Sequence, residues 1–281
     1  MEGMEKIIEN LHSLKKQSNL GQPTQISKDS DVCPLCNGTG WIPVEKDGET
    51  VFRECKCRQE QINHNRLKFA NVPEPFRNLK LADFNIACYK EEKNKKLVRI
   101  ACKIIKNYID NFQTFQGKGV GLYIYSKTKG SGKTRMAASM ANQFLADGHR
   151  VKFATSSEII EQIKKTWDQD SKISERDLLA DLKDVEILII DDFGAEKNIA
   201  WINDKFYQIV NYRYINKLVT IYTSNYTENE VQYNERISSR IKECSYSVQF
   251  PEESVRDHIY EQRNNEMIKK ILEGTNFLAE N

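Results

Sequence analysis

The sequence predicts an α/β protein, a mostly parallel five-stranded sheet with helices on both faces, preceded by a small zinc-ribbon-like module. Three observations carry that expectation. The strand-like run Gly121-Leu122-Tyr123-Ile124-Tyr125 leads into a glycine turn at residues 126–134, then into a helix-forming run at 135–145. A second apolar run, 185–190, delivers two carboxylates, Asp191 and Asp192. Finally, four cysteines crowd between residues 33 and 57.

Composition sets the outer bounds. At 281 residues the chain can form one large domain, or a medium domain with a small one. With 29% charged and 39% hydrophobic residues it fits a globular protein rather than a disordered or membrane one. No apolar run approaches a membrane span; the longest informative one is Ile187-Leu188-Ile189-Ile190. The start, Met1-Glu2-Gly3-Met4-Glu5, lacks the basic and apolar regions of a secretion signal, so a cytoplasmic protein is expected. A net charge of +2 neither demands nor excludes nucleic acid. Seven cysteines, unevenly spread in an unsecreted chain, read as metal ligands rather than a disulfide framework.

Taken in order, Met4, Ile7, Ile8, Leu11 and Leu14 recur at helical spacing, which predicts an amphipathic helix over 1–18. Such a stripe packs on its own domain or binds a partner. A polar linker follows at 17–31. Cys33 and Cys36 form a CxxC pair and Cys55 and Cys57 a CxC pair, a set of soft thiolates suited to one tetrahedral Zn2+. Between the pairs, residues 41–44 and 50–53 read as two strands around a turn at 46–48. A basic helix is expected over 58–69, and the prolines of Val72-Pro73-Glu74-Pro75-Phe76 mark a junction. The boundary is placed there, giving an N-terminal module of residues 1–70 and a main domain of 71–281. Residues 90–112 predict a helix with Leu97, Ala101, Ile104, Ile105 and Tyr108 on its apolar face. Lysines and arginines crowd its other side, either simply solvated or contacting phosphates.

The glycine turn is a phosphate cradle. Gly130, Ser131 and Gly132 let backbone N–H groups turn inward at a helix N-terminus, with Arg135 just inside that helix. Lys133 reaches the terminal phosphates and Thr134 holds Mg2+. One letter departs from the pattern, which has glycine where this chain has Lys127. Asp191 suits Mg2+, and Asp192 stands where the base that orients an attacking water belongs. A strand at 218–222 ends in Thr223-Ser224-Asn225, and Asn225 is either a water-holding side chain or a turn residue. Arg236 and Arg240 share one face of a helix, a last strand is expected at 246–250, and a helix opening at Pro251 carries Arg256. An extra strand unit between the phosphate loop and the acidic pair favours an ATPase over a GTPase, and no guanine-reading tetrad is present.

These motifs, with Cys33-Pro34-Leu35-Cys36-Asn37-Gly38-Thr39-Gly40-Trp41, the Val72–Arg77 junction and Ile190-Asp191-Asp192-Phe193-Gly194-Ala195-Glu196, resemble the bacterial and phage replicative helicase loaders of the DnaC/DnaI type. The resemblance covers residues from about 30 to 260 and implies an AAA+ core with little or no helical lid. It implies that Lys133 and Thr134 are the Walker A residues, and Asp191 and Asp192 the Walker B pair. Asn225 is then sensor 1 and Arg256 sensor 2. Arg240, with Arg236 as the second choice, is the arginine finger that completes a neighbour's site on self-assembly. Asp192 stands where many AAA+ proteins have glutamate, which implies slow hydrolysis, with Glu196 as an assisting carboxylate. The implied function is ATP-controlled loading of a ring-shaped replicative helicase onto single-stranded DNA, with residues 1–70 gripping the helicase. Two alternatives remain at this point: an IstB-type transposition helper ATPase that binds duplex DNA, and an ATP-gated adaptor that does not hydrolyse.

Overall fold

The computed structural model describes residues 33–37, 39, 41–46, 49–58, 68–168, 174–196 and 199–272. The helix expected over 1–18, the linker at 17–31, the hairpin turn at 47–48 and most of the helix at 58–69 lie outside them. The chain divides into two units, residues 1–61 and 62–281. The division falls before the expected boundary at 70/71, and Ala70 is buried in the core of the second unit.

In the first unit, β1 (Trp41–Lys46) and β2 (Glu49–Glu54) pair antiparallel with Trp41 opposite Glu54 and Lys46 opposite Glu49. The hairpin buries little, and Val44, Val51 and Phe52 are exposed. Two strands without a core need a staple. The cysteines at its base, with Cys36 and Cys55 buried, are the groups available to supply one.

In the second unit, α1 (Glu92–Asp110) and the short α2 (Phe112–Lys118) lead to β3 (Gly121–Tyr125), then α3 (Lys133–Ala146), β4 (Val151–Thr155), α4 (Ser156–Lys165) and α5 (Glu175–Asp184). There follow β5 (Ile187–Asp191), α6 (Ala200–Ile215), β6 (Val219–Ser224), α7 (Glu235–Cys244), β7 (Ser245–Gln249) and α8 (Val255–Leu272). The sheet order is β4-β5-β6-β3-β7, all parallel. Among the described residues, one helix and no helical lid follow β7.

Strand residues alternate between two cores, as the two-residue period of a strand requires. Ile187 and Ile189 of β5 face α1, α2 and α3, whereas Leu188 and Ile190 face α4, α5, α6 and α7. With both faces covered, β5 and β6 are buried at every position. The face of α1 is turned from the expected one. Val98 is buried in place of Leu97, and Ile104 stays 42% exposed. Thr155 caps α4, its Oγ1 accepting the Glu158 N–H in a capping box. The last helix opens at Val255, four residues after the expected start at Pro251.

In α6, Arg213 is fully buried. Its guanidinium donates to the carbonyls of Val185 (2.7 Å), Val219 (2.6 Å), Leu182 (3.1 Å), Lys183 (3.1 Å) and Glu186 (3.3 Å), and to Thr220 Oγ1 (2.9 Å). These acceptors lie at the C-terminal end of α5 and the entry points of β5 and β6, so one cation ties the three elements together. Burial pushes Arg213 down to about 10, which leaves it charged at neutral pH.

Candidate nucleotide site

The loop between β3 and α3 turns twice through glycine. Gly130 and Gly132 have φ of 77° and 97°, in the left-handed region. A Cβ on Gly132 would stand 3.0 Å from Tyr89 Oη and 3.1 Å from Phe84, and one on Gly130 would stand 2.9 Å from Ser254 Oγ. The backbone is therefore hemmed in from two distant segments. Tyr89 Oη donates to the Ser131 carbonyl at 2.7 Å, and the Val255 N–H donates to the Gly130 carbonyl at 3.0 Å. Lys127 does not have a positive φ, so a side chain fits there without backbone strain.

Lys133 Nζ is buried and donates to the carbonyls of Ser126 (3.1 Å) and Thr128 (3.0 Å) and to Ser131 Oγ (3.2 Å). Burial lowers its pKa, opposed by Asp192, Glu252 and Asp191. At the C-terminal end of β5, Asp191 Oδ1 accepts from Thr223 Oγ1 of β6 at 2.5 Å, and the Asp192 N–H donates to the same hydroxyl at 3.0 Å. Burial and then the charge of Asp192 push Asp191 up to about 6, with Thr223, Thr134 and Lys133 pulling the other way. Asp192 has a φ of 53°, a conformation that costs energy in a residue bearing a Cβ and that turns its exposed side chain out of the strand.

One cleft of about 450 Å3 gathers most of the expected residues. The loop contributes Gly130, Ser131, Gly132, Lys133 and Thr134, and α3 adds Arg135; Asp192 follows β5, Asn225 follows β6 and Arg256 comes from α8. Asp191 lies buried beside Thr134 instead of lining the opening. Because β6 lies between β3 and β5, the Asn225 loop is set between the phosphate loop and the two aspartates. Arg236 and Arg240 do not reach this cleft. They line a separate groove with Tyr207 and Glu235, where Arg240 lies 4.3 Å over the Tyr214 ring and 3.6 Å from Glu243. Glu196 accepts a hydrogen bond from Tyr233 at 2.5 Å and does not line the cleft, so it does not assist Asp192 there.

Sequence reasoning missed the apolar end of the cleft, formed by Phe76, Val255 and Ile259. Phe76 is held by Asn142 of α3, whose Nδ2 donates to the carbonyls of Phe76 (2.7 Å) and Leu79 (2.9 Å). The proline-marked junction, read as a domain boundary and as part of the resemblance, was the available signal. A cleft with an anion cradle at one end and an apolar wall at the other suits a nucleotide, phosphates first and base last. The cradle and the buried carboxylate beside Thr134 also fit Mg2+.

In the N-terminal unit the Sγ atoms of Cys33, Cys36, Cys55 and Cys57 all lie within 4.8 Å of one another, with Cys33–Cys55 at 3.8 Å and Cys36–Cys57 at 3.3 Å. Four thiolates around one Zn2+ at about 2.3 Å stand about 3.8 Å apart, so the set fits that ion. Arg58 covers Trp41 at 4.0 Å beside it.

Fold and cleft together define a P-loop nucleotide-binding protein of the AAA+ class. The family model described as IstB-like ATP binding protein matches residues 45–234, and the chain belongs to that family. Among curated relatives, the replicative helicase loader DnaI of Bacillus subtilis (strain 168) is 31% identical over 125 residues, which is 44% of this chain and 39% of that protein. The phage-like element PBSX protein XkdC of the same organism is 23% identical over 250 residues, 86% of this chain and 90% of that protein. The crystal structure of the DnaC helicase loader superposes with a TM-score of 0.53 at 23% identity, over 63% of this chain and 99% of that one, a likeness of fold. The chain matches well under half the length of the DnaI loader. Among the described residues no helix is long and apolar enough to cross a membrane.

Proposed function

We propose that this chain is an ATP-dependent loader that delivers a ring-shaped replicative DNA helicase onto single-stranded DNA. The observation that carries the ATP part is the convergence, in one cleft, of Lys133, Thr134, Asp192, Asn225 and Arg256 from separate elements. The loader part rests on relatives that bear that name.

In this reading the loop N–H groups and Lys133 bind the phosphates, Lys133 turning from the loop carbonyls it now holds. Thr134 and Asp191 hold Mg2+, which when bound neutralises charge developing on the phosphate oxygens. Asp192 accepts the proton of the attacking water and Asn225 orients that water from the facing strand end. The Asp192 carboxylate is one methylene shorter than glutamate, so turnover is slow. Arg256 meets the phosphates from α8, and Phe76 and Ile259 exclude water from the base. Arg240 lies outside its own chain's cleft, which suits a residue that acts on a neighbour's site after self-assembly. Zn2+ on the four cysteines folds the N-terminal module, and residues 1–70 grip the helicase.

The test mixes the full chain, the replicative helicase of the same genome and circular single-stranded DNA, and measures helicase retained on the circles. Retention that requires both the chain and ATP, and is lost with Lys133→Ala, is expected. Absence of any complex with the helicase overturns the loader reading and leaves the IstB-type helper or the adaptor.

A further inference from the structure

The first turn of the phosphate loop lacks the glycine its pattern calls for, yet it is closely held. The holding group is the carboxylate of Glu252, which lies between β7 and α8. Its Oε1 accepts the Lys127 N–H at 2.9 Å, and its Oε2 accepts the Thr128 N–H at 2.9 Å and Thr128 Oγ1 at 3.0 Å. Ser126 Oγ donates to the Pro251 carbonyl at 2.9 Å and takes the Thr128 N–H at 3.2 Å, so both ends of the turn are tied to the same segment. Three residues on from Glu252, the Val255 N–H bonds the Gly130 carbonyl, and Arg256 follows, its Cβ packed where Gly130 has no side chain. On the other side Lys127 Nζ pairs with Glu230 at 2.6 Å, and Glu230 accepts from Thr227 N (3.1 Å) and Oγ1 (2.9 Å), two residues beyond Asn225. The Lys127–Glu230 pair is largely exposed and adds little to global stability. What it does add is a side-chain contact between the phosphate loop and the Asn225 loop.

Building on the nucleotide reading of this cleft, we infer that Glu252 is a positioning residue for ATP. It replaces a glycine-built first turn with a carboxylate that straps two loop N–H groups, and it thereby sets where Arg256 stands relative to the phosphates. Lys127, the departure from the motif, is then part of the arrangement. Its N–H is one end of the strap, and its side chain carries the loop's position to Glu230.

The strap predicts a specific defect. In Glu252→Gln the amide nitrogen replaces one acceptor oxygen. It faces a donor whichever way it turns, while shape and volume are kept. The affinity for a fluorescent ATP analogue with Mg2+ is measured for wild type, Glu252→Gln, Arg256→Ala and the double variant, alongside nucleotide-free melting temperature. About a tenfold loss for Glu252→Gln is expected, with melting within about 2 °C of wild type. The double variant should be no weaker than the weaker single one, because both act through the placement of Arg256. Wild-type affinity in Glu252→Gln, or losses that simply multiply, overturns the inference. A wild-type chain that does not bind the analogue at all overturns the nucleotide reading itself. Should Glu252→Gln not melt cooperatively, Glu252→Asp keeps the charge but is too short to span both N–H groups. It is then expected to lose at least about threefold, and full affinity in that variant overturns the inference equally.

Discussion

Replacing Asp191 with asparagine should make the nucleotide-free protein more stable. Asp191 is 3% exposed at the end of β5, and its pKa rises from 3.8 to about 6, chiefly through burial and then through the charge of Asp192. A carboxylate whose folded pKa lies above its unfolded one favours folding fully below the unfolded value. It loses that contribution as pH rises through the folded one. Above pH 7 the ionised side chain therefore costs about 3 kcal/mol relative to its protonated form, because a tenfold change in proton affinity is worth about 1.4 kcal/mol. The substituted asparagine keeps an acceptor for Thr223 but brings an N–H2 group that needs a partner, which trims the gain to about 1–2 kcal/mol. For a domain of this size that is about 2–8 °C in melting temperature at pH 7.5. Near pH 5, where the wild-type carboxylate is largely protonated, its cost falls by about 1.3 kcal/mol and most of the gain should vanish. Magnesium and ATP should reverse the order, since the wild type then gains more ligand stabilisation than a variant short of one Mg2+ ligand. Scanning fluorimetry at pH 7.5 and 5, with and without Mg2+ and ATP, reads all of this. An Asp191→Asn variant that melts at or below wild type at pH 7.5 without ligand would refute the reasoning, as would a gain that does not shrink at pH 5.

Other outcomes follow from the same geometry. Lys133→Ala should remove detectable ATP binding, seen by equilibrium titration, because the cradle loses the cation at its centre. Arg240→Ala should bind ATP as wild type does but lose turnover that depends on assembly; wild-type hydrolysis on single-stranded DNA would rule the finger assignment out. Arg213→Met should lose on the order of 3–5 kcal/mol in denaturant unfolding, since buried carbonyls at the entries of β5 and β6 are left without a donor. Zinc analysis of the purified chain should give one ion per chain, and chelation should unfold the hairpin module; a chain whose N-terminal unit keeps its fold and metal content under chelation counts against the four-cysteine site.

The parts legible in the sequence share one property: each is written within a few consecutive residues. The phosphate loop, the Asp191–Asp192 pair after an apolar strand, and the cysteine pairs are of this kind, and so is the unbroken apolar run that places β5 between two helical layers. The parts that were not legible depend on contacts across long separations through backbone atoms, which leave no pattern. Tyr89 holds the loop through the carbonyl of Ser131, and Asn142 holds Phe76 through its carbonyl. Neither side chain belongs to a motif. The face of α1 is turned because Leu97 and Val98 are adjacent and both apolar, and only packing decides between them. Arg213 falls at helical spacing from Phe206, Ile209 and Val210, but nothing local announces that six oxygens converge on it.

The two buried ionisable groups at the ends of β5 and β6 have opposite effects on the same strands. At the entry end Arg213 is charged and satisfied by neutral carbonyls, so its burial ties α5, β5 and β6 together. At the exit end Asp191 is buried beside a like charge, and Asp192 is held at a φ of 53°. The first arrangement stabilises the sheet, whereas the second costs stability unless a cation and a nucleotide arrive. Parallel strands make this division natural, because all their C-terminal ends meet at one edge and ligands bind there. Lys127 belongs to that exit edge as well. It lies in the loop after β3, tied by Glu252 to the approach of α8 and by Glu230 to the loop after β6. A glycine at position 127 would keep the N–H that Glu252 accepts but lose the side chain that reaches Glu230. The departure from the motif therefore adds a side-chain link between two loops whose strands are already hydrogen-bonded neighbours.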